Sequence, residues 1–269
     1  MRLDKLVRIA NEAKTDAQKN RVGNALLQLM ECSPGQLMYL KIGRGVKKIG
    51  EGAYGAVFYG CLENKCKTQV VIKFSKKSLK SEYEIGKKLA ALGVAPRVYR
   101  YGHCAQKKMD FMYYEYASHG SLEDYLKKYR KYLTASDYKA IVYKVFTLLR
   151  KIHKKYPSYK HYDLHPGNVL VNKERGKMRL LLTDFGLSEM KGIRSPLLKK
   201  KWRMEQAPDA DVFIHYMGES LVSPPPTVAA FFKHFSEKSN YSPTNSSIRV
   251  IKDVMKHPFM KGAALATLR

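Results

Sequence analysis

The sequence predicts an α+β fold in two parts, a small antiparallel sheet followed by a mostly helical region. Near residue 40 the apolar residues stop recurring at helical spacing and begin to alternate in short segments with glycines, which is typical of strands. From about residue 121 the helical spacing returns. A chain of 269 residues with 45% hydrophobic side chains has enough apolar material to bury a core.

The predicted elements follow one another in chain order. The first 31 residues place apolar side chains on one helical face and Lys and Arg on the other, which predicts one or two amphipathic helices. Gly93 and Pro96 provide the stop signal for the first helix after the sheet begins. The predicted strands are 47–49, 56–61, 68–74, 98–101 and 108–114, and the later predicted helices are 78–92, 121–126 and 136–155.

The chain is strongly basic, with 50 Lys and Arg against 23 Asp and Glu and a formal net charge of +27. This excess favours an anionic partner such as an acidic protein, a phosphate-rich ligand, an anionic surface or nucleic acid. Charge by itself does not choose among these partners.

The chain has neither an apolar run long enough to cross a bilayer nor a secretion signal at its start. We therefore expect an intracellular protein of the cytoplasm or nucleus, not secreted and without a membrane partner. The cysteines lack the spacing of a zinc site, and we expect free thiols. They are Cys32, Cys61, Cys66 and Cys104.

A glycine-rich segment covers residues 50–57, with Gly50, Gly52 and Gly55 in a predicted strand-turn-strand. Glycines let backbone N–H groups approach phosphate oxygens because no Cβ lies in the way. A dinucleotide-binding segment would open a helix, whereas here a second strand follows. The alternative is a glycine-rich hairpin that binds no ligand.

Three further motifs follow the glycine segment in a fixed order. Lys73 ends the hydrophobic strand segment Val-Val-Ile-Lys, and His-Tyr-Asp-Leu-His-Pro-Gly-Asn occupies residues 161–168. Asp-Phe-Gly begins at Asp184, after an apolar run. The joint order is specific, and over about residues 44–215 it resembles the protein kinase family, in particular a compact, atypical or viral-like Ser/Thr kinase.

The resemblance implies a two-lobed protein-kinase-like fold. The N-lobe with its small antiparallel sheet would cover residues 41–116, and a trimmed, mostly helical C-lobe would cover residues 117–269. Residues 1–40 would form an N-terminal helical extension.

The resemblance also implies that the chain uses ATP with Mg²⁺ or Mn²⁺. Asp163 would be the catalytic base, and Lys73 would contact the α- and β-phosphates. The three glycines would cover the phosphates. Asn168 and Asp184 would hold the metal ions.

Lys73 also needs an ion-pair partner on the following helix, and both Glu82 and Glu84 are available. We favour Glu82, because it precedes Leu89 by seven residues and shares a helical face with it. Only nine residues separate Lys73 from Glu82, so the helix must be short or begin abruptly. If that geometry fails, Glu84 takes the role.

The segment 111–120 resembles the hinge that joins kinase lobes. Backbone groups of Glu115 and Ala117 would meet the adenine edge, with Tyr114 as the gatekeeper. Aliphatic side chains would enclose the base, although plain core packing explains them equally well. These aliphatic residues are Val57, Val71 and Leu170.

Several departures from the family pattern carry information. Tyr162 stands where regulated kinases have an arginine, so we expect activity without activation-loop phosphorylation. His165 replaces the lysine of Ser/Thr kinases, in the style of small-molecule kinases. Asp211 resembles the aspartate at the start of the helix that braces the catalytic loop, and residues 256–259 resemble the closing motif of Ser/Thr kinases.

We therefore predict a Ser/Thr protein kinase acting on a protein substrate. The basic run 199–203, in the segment after Asp-Phe-Gly, favours acidic or phosphorylated substrates. A small-molecule kinase of the aminoglycoside or choline phosphotransferase type is one alternative, and a basic, nucleic-acid-binding module without activity is another. Virion association would follow if the chain is viral.

Overall fold

A computed structural model describes residues 2–30, 47–52, 55–61, 67–105, 107–174, 177–198, 207–238 and 246–266. The chain forms two compact units. The first unit comprises residues 1–83 and 97–116, and the second comprises residues 84–96 and 117–269. The predicted α+β fold is confirmed, because the first unit carries a five-stranded antiparallel sheet and the second is mostly helical.

The sheet of the first unit has the strand order β1-β2-β3-β5-β4, and every neighbouring pair is antiparallel. Strand β3 lies at its centre, and the side chains of Val70, Ile72 and Phe74 are fully buried there. The predicted strands all occur, with ends shifted by at most three residues. The strands are β1 Lys47–Gly52, β2 Gly55–Cys61, β3 Gln69–Ser75, β4 Val98–Cys104 and β5 Met109–Glu115.

Two N-terminal helices, α1 Leu3–Glu12 and α2 Asp16–Met30, belong to the same unit as the sheet. Leu6 of α1 and Val22 of α2 are buried in one cluster with Phe58 and other side chains of the sheet. The described part of the N-terminal extension therefore shares its hydrophobic core with the sheet.

Helix α3, Lys80–Ala91, begins in the first unit and continues into the second. Ile85 and Leu89 are buried in the core of the second unit. The helix ends where Gly93 adopts a φ of +67° and donates its N–H to the Ala90 carbonyl at 2.8 Å. Glycine suits this position because it adopts positive φ without strain.

The second unit is built around α5, whose first turn is closed by a reciprocal capping pair, Thr134 and Asp137. The side chains of Ile141, Val145 and Leu149 recur at helical spacing and are fully buried. Its elements are α4 Leu122–Tyr129, α5 Ala135–Lys155, β6 Val169–Glu174, β7 Lys177–Leu182, β8 Glu189–Met190, β9 Ile193–Arg194, α6 Asp209–Glu219, α7 Pro226–Lys238 and α8 Ser247–Lys256.

The motif at residues 256–259 closes this core. The ring of Phe259 lies 4.6 Å from that of Phe231, and the Lys139 ammonium group lies 5.4 Å from the Phe259 ring centroid. The His257 ring packs on Phe231 as well, at 5.3 Å. The contacts of this segment with Phe231 and Lys139 are packing contacts.

The expectation of free thiols is wrong for Cys104, which is disulfide-bonded. The side chains of the other three cysteines lie outside the described residues. Chain spacing cannot show which cysteines a fold brings together, because pairing depends on tertiary contacts. In the described parts of the chain, no helix is long and apolar enough to cross a membrane.

Candidate active site

In the first unit, Lys73 and Glu82 form an ion pair. The Lys73 Nζ atom lies 2.8 Å from Glu82 Oε1 and 3.0 Å from Oε2. The Glu82 side chain is only 6% exposed and that of Lys73 18%, so both charges are largely removed from water. Glu82, rather than Glu84, is the carboxylate that the fold brings to the lysine.

The glycine-rich segment forms β1 and β2, and the residues at its tip, 53 and 54, lie outside the described residues. Gly50 pairs with Val57 across the two strands and has room for a Cβ atom. Gly55 does not, because a Cβ there would collide with the backbone carbonyl of Phe74 on β3. Gly55 is therefore required by the close approach of two strands, whereas Gly50 is not.

The residues expected around adenine lie in both units. In the first, Val57 is directly opposite Lys73 in the β2–β3 pairing, and Val71 is 5% exposed. The Glu115 N–H is already used in a 2.8 Å hydrogen bond to the Arg97 carbonyl.

In the second unit, Ala117 is buried, and its carbonyl accepts a hydrogen bond from the Gly120 N–H at 3.2 Å. Leu170 lies on β6 opposite Leu181 and is half-buried. Its backbone also bridges Ser121, at the start of α4. A turn therefore holds Ala117, and the β6–β7 pairing holds Leu170.

The loop that carries Asp163 is closed by Asn168. The Asn168 amide Nδ2 donates to the Asp163 backbone carbonyl at 2.8 Å and to its Oδ2 atom at 3.2 Å. These bonds use the amide nitrogen and direct it toward Asp163. The Asn168 Oδ1 atom, which is the atom that can bind a metal ion, is not used in them.

His165 lies beside this carboxylate, with its Nε2 atom 3.9 Å from Asp163 Oδ1. Its Nδ1 atom accepts a hydrogen bond from the Gly167 N–H at 3.1 Å. A backbone N–H can only donate, so Nδ1 carries no proton and the hydrogen lies on Nε2. His165 therefore presents its Nε2 atom to this side of the loop.

The backbone just before Asp163 is strained and is held from outside the loop. Tyr162 has a φ of +66°, which is unfavourable for a residue with a large side chain. The Asp209 carboxylate accepts the His161 N–H at 2.9 Å and the Tyr162 N–H at 3.0 Å. Asp209 is 2% exposed, so these bonds are shielded from water.

The expectation that Asp211 would brace the catalytic loop is therefore wrong. Helix α6 begins at Asp209, and the first-turn geometry points that carboxylate at the loop. The signal for this start was available in the sequence, because Pro208 immediately precedes Asp209 and proline marks helix starts.

Asp211 instead lies half-buried on the same helix. Its burial and, secondarily, the negative charge of Asp253 raise the pKa of Asp211 to about 6. Two aspartates two residues apart thus differ in how they are stabilised, since the buried Asp209 accepts two backbone hydrogen bonds, whereas half-burial and the charge of Asp253 disfavour the charged form of Asp211.

Asp184 lies in a left-handed backbone conformation, with φ +55° and ψ +68°, and its side chain is exposed. The preceding residue, Thr183, donates its N–H to the Asn168 carbonyl at 3.0 Å. The carbonyl oxygen of Thr183 lies 3.0 Å from the Nε2 atom of the buried His161. His161 is thus a structural histidine that joins the two segments. No cluster of three or more His, Cys, Asp or Glu side chains able to hold a metal ion occurs in the described ranges.

The segment after Gly186 is joined to the loop that carries Asp163 through Glu189. Glu189 exchanges two backbone hydrogen bonds with Lys160, both at 2.9 Å. Its carboxylate accepts from the Tyr162 hydroxyl at 3.1 Å and from Arg194 Nε at 3.2 Å. Tyr162 therefore reaches the following segment through a hydrogen bond rather than a charge.

Sequence reasoning missed the roles of Asp209, Glu189 and Asp110, each of which contacts a segment far away in the chain. No local motif marks Glu189 or Asp110, because their partners are known only after folding. The predicted basic run 199–203 lies outside the described residues.

The comparisons with known proteins agree with this geometry. The family model of the protein kinase domain matches residues 44–202, which is more than half of the chain. The chain is 29% identical over 171 residues to a probable L-type lectin-domain containing receptor kinase V.3 of Arabidopsis thaliana, a match that covers 60% of this chain and 25% of that relative.

Shorter matches link the chain to two other kinases. It is 33% identical over 76 residues to serine/threonine-protein kinase tousled-like 2 of Xenopus tropicalis, covering 28% of this chain and 11% of the relative. It is 34% identical over 76 residues to tousled-like 1 of Homo sapiens, covering 28% and 10%. The chain spans about a quarter or less of the length of these relatives.

The resemblance drawn from the order of the sequence motifs is thus confirmed. Because the family model extends across the glycine segment, Lys73, the Asp163 loop and Asp184, and covers more than half of the chain, the chain belongs to the protein kinase family.

Proposed function

We propose that the chain transfers the γ-phosphate of ATP to a serine or threonine hydroxyl of a protein. The observation that carries this proposal is the bidentate ion pair between Lys73 and Glu82. A lysine at a strand end is ordinarily solvated, and here a buried carboxylate holds the amine at a defined place. This arrangement suits a cation that must meet phosphate oxygens in a fixed position.

In this proposal Lys73 binds the α- and β-phosphates, and Glu82 holds its amine in place. Gly50, Gly52 and Gly55 let the backbone of β1 and β2 approach the phosphates. The adenine is held by aliphatic side chains and by hinge backbone groups. These are Val57, Val71, Leu170, Glu115 and Ala117.

Asp163 accepts the proton of the acceptor hydroxyl. The hydroxyl oxygen then forms a bond to the γ-phosphorus as the bond from that phosphorus to the β–γ bridging oxygen breaks, and ADP leaves. The Asn168 amide supports this role, because its hydrogen bond to Asp163 Oδ2 orients the carboxylate.

Asn168 and Asp184 would hold Mg²⁺, and the residues present fit this ion. They offer oxygen ligands and only two side chains, and Mg²⁺ is commonly held by few protein ligands together with waters and phosphate oxygens. When bound, the ion would neutralise charge on the phosphates. Mn²⁺ prefers similar oxygen ligands.

We further propose that activity does not require phosphorylation of the segment after Asp184. Ser188 and Ser195 are buried at 0% and 2% exposure, and their hydroxyls donate to the backbone carbonyls of His161 and Gly186. The segment is already joined to the loop by the Tyr162–Glu189 hydrogen bond. These contacts hold the segment in place, which is the role that an ion pair between a phosphate and an arginine has in regulated kinases.

The relatives named as serine/threonine-protein kinases support a protein acceptor. His165 is the observation that favours the second candidate, a small-molecule kinase. Its imidazole, with Nδ1 held by the Gly167 N–H, stands where Ser/Thr kinases have a lysine. The net charge of +27 favours an acidic substrate within the first proposal.

The test is transfer of labelled γ-phosphate from Mg-ATP by the purified, phosphatase-treated chain. Acidic and basic proteins, small alcohols and a nucleic-acid binding assay form the panel, and Asp163→Asn is the blank. We expect label on serine or threonine of the acidic protein, and Asp163→Asn should abolish it while ATP binding remains.

Three outcomes would contradict this proposal. Label found only on small alcohols would indicate that the chain is a small-molecule kinase. Binding of nucleic acid that weakens steeply with salt, without ATP turnover, would indicate a binding module. Activity that disappears after phosphatase treatment would contradict independence from phosphorylation.

A further inference from the structure

A buried carboxylate from the sheet lies at the start of helix α3. Asp110, on β5, is 3% exposed. Its Oδ2 atom accepts the Leu79 N–H at 2.7 Å and the Tyr101 hydroxyl at 2.9 Å. Its Oδ1 atom lies 2.5 Å from the Nδ1 atom of His103. Three donors from two other parts of the first unit therefore converge on one side chain.

The start of helix α3 is held both by a local serine and by this carboxylate. The Ser78 Oγ atom accepts the N–H of Lys80, the first helical residue, at 3.3 Å, and Asp110 accepts the N–H of Leu79, the residue before the helix. Helices α4 and α5 are capped by their own Ser121 and Thr134. Asp110 adds, from another strand, an acceptor for the Leu79 N–H and the negative charge that a helix start favours.

The position of this contact determines where Glu82 lies. The β3–β5 pairing aligns Ser75 with Asp110 and Lys73 with Met112. Lys73 and Asp110 therefore lie on adjacent strands, offset by two residues in register. Leu79 is held by Asp110, and its carbonyl accepts the first helical hydrogen bond, from Tyr83, at 2.8 Å. Glu82 lies within that first turn.

This geometry explains how nine residues suffice between Lys73 and its partner. The chain leaves β3 at Ser75 and is held again at Leu79 by the neighbouring strand, so α3 begins within five residues of the strand's end. The first turn then directs Glu82 back to Lys73. The helix begins abruptly because Asp110 of the sheet fixes Leu79, the residue before its first turn.

We propose that Asp110 is a positioning residue for phosphate transfer, which acts by fixing the start of α3 and thereby the Lys73–Glu82 ion pair. The catalytic part of this inference rests on the proposed kinase function. The part concerning the ion pair does not, and it can be measured without ATP.

The first measurement is the reactivity of the Lys73 amine. Competitive amine acylation followed by mass spectrometry compares Lys73 with the exposed Lys154 in the same sample. In Asp110→Ala we expect Lys73 to react several-fold faster, because an amine held less firmly by a carboxylate is more available as a nucleophile. Asp137→Ala is the matched control, because Asp137 is also a buried carboxylate at a helix start and holds no catalytic element.

The second measurement is a double-mutant cycle on kcat/KM for ATP. Asp110→Ala should lower kcat/KM by about tenfold in the natural chain and by less than about twofold in the Glu82→Gln background, because coupled residues are not additive. Asp137→Ala should have the same factor in both backgrounds. All variants are compared at a temperature where each is folded.

The outcomes separate the two proposals. Equal effects of Asp110→Ala in both backgrounds, or unchanged Lys73 reactivity, would overturn the positioning role. If the natural chain transfers no phosphate, the proposed function fails, and the labelling experiment alone decides whether Asp110 holds the ion pair. If Asp110→Ala does not fold, Asp110→Asn keeps one acceptor oxygen and should show the same pattern with smaller changes.

Discussion

Two buried aspartates, one in each unit, hold a functional segment from outside it. Asp110 of β5 holds the start of α3 through the Leu79 N–H and is itself held by the side chains of Tyr101 and His103 on β4. Asp209 of α6 holds the catalytic loop through two consecutive backbone N–H groups. Both are almost fully buried, at 3% and 2% exposure.

The supported segments differ, and this difference is informative. Helix α3 has its own ladder of hydrogen bonds, so Asp110 has only to set where the ladder begins. The catalytic loop has no such ladder and contains the strained Tyr162, which persists only if its surroundings hold it. We infer that a loop tolerates the loss of an external carboxylate less well than a helix.

The largest expected effect is therefore at Asp209. Asp209→Ala leaves two buried N–H groups without an acceptor next to a strained residue, and it should destabilise the protein by about 3 kcal/mol. Transfer activity should fall by more than about a hundredfold. Denaturant unfolding and the phosphate transfer assay measure the two effects.

Asp209→Asn is the control, because it keeps one acceptor oxygen and should lose less stability than Asp209→Ala. A smaller loss of stability in Asp209→Ala than in Asp110→Ala would reverse the comparison between loop and helix.

The sheet that carries Lys73 and Asp110 can be weakened at one glycine. Gly55→Ala places a Cβ atom against the backbone carbonyl of Phe74, so β2 and β3 must move apart, and we expect a loss of about 2 kcal/mol. Gly50→Ala is the matched control, since its Cβ would have ordinary contacts with Val57. Thermal unfolding that ranks the two variants equally would contradict this prediction.

A pH-dependent effect separates Asp211 from its neighbour Asp209. Burial raises the pKa of Asp211 from 3.8 to about 6, so the folded state binds this proton more tightly than the unfolded state. Its contribution to stability is therefore best below pH 4 and is lost as the pH rises through 6. Asp211→Asn should stabilise the protein at pH 7.5 by about 1–2 kcal/mol, allowing for partial exposure.

The measurement is the free energy of unfolding of both proteins from pH 4 to pH 8. The difference between them should be near zero at pH 4 and grow toward pH 7. A constant difference at every pH would show that the carboxyl does not titrate in this range.

The smallest expected effect is at the hydroxyl of Tyr162. Tyr162→Phe removes the hydrogen bond to Glu189 and should cost about 1 kcal/mol, with a few-fold loss of activity if this bond positions the segment after Asp184. Tyr132→Phe, at a side chain 78% exposed, is the matched control. Equal activity in the two variants would show that the backbone hydrogen bonds between Lys160 and Glu189, rather than the Tyr162 hydroxyl, position the segment after Asp184.

Much of the fold could be predicted because the signals are local. The strand and helix segments were visible from the spacing of apolar residues, and Gly93 marked the end of α3. Glu82 could be preferred over Glu84 from its helical face, and the structure brings Glu82 to Lys73. The helix start at residue 209 was missed because Asp211 better matched the expected motif.

The sequence by itself determined the order of the elements, the α+β composition and the family, since these depend on spacing and motif order along the chain. Only the tertiary structure decided that Asp209 rather than Asp211 supports the loop, that Asp110 starts α3 and that Glu189 meets Tyr162. The physical reason is that a buried carboxylate is stabilised by whichever donors the fold brings to it. The donors Leu79, His161 and Tyr162 lie 27 to 48 residues along the chain from the carboxylates that they meet.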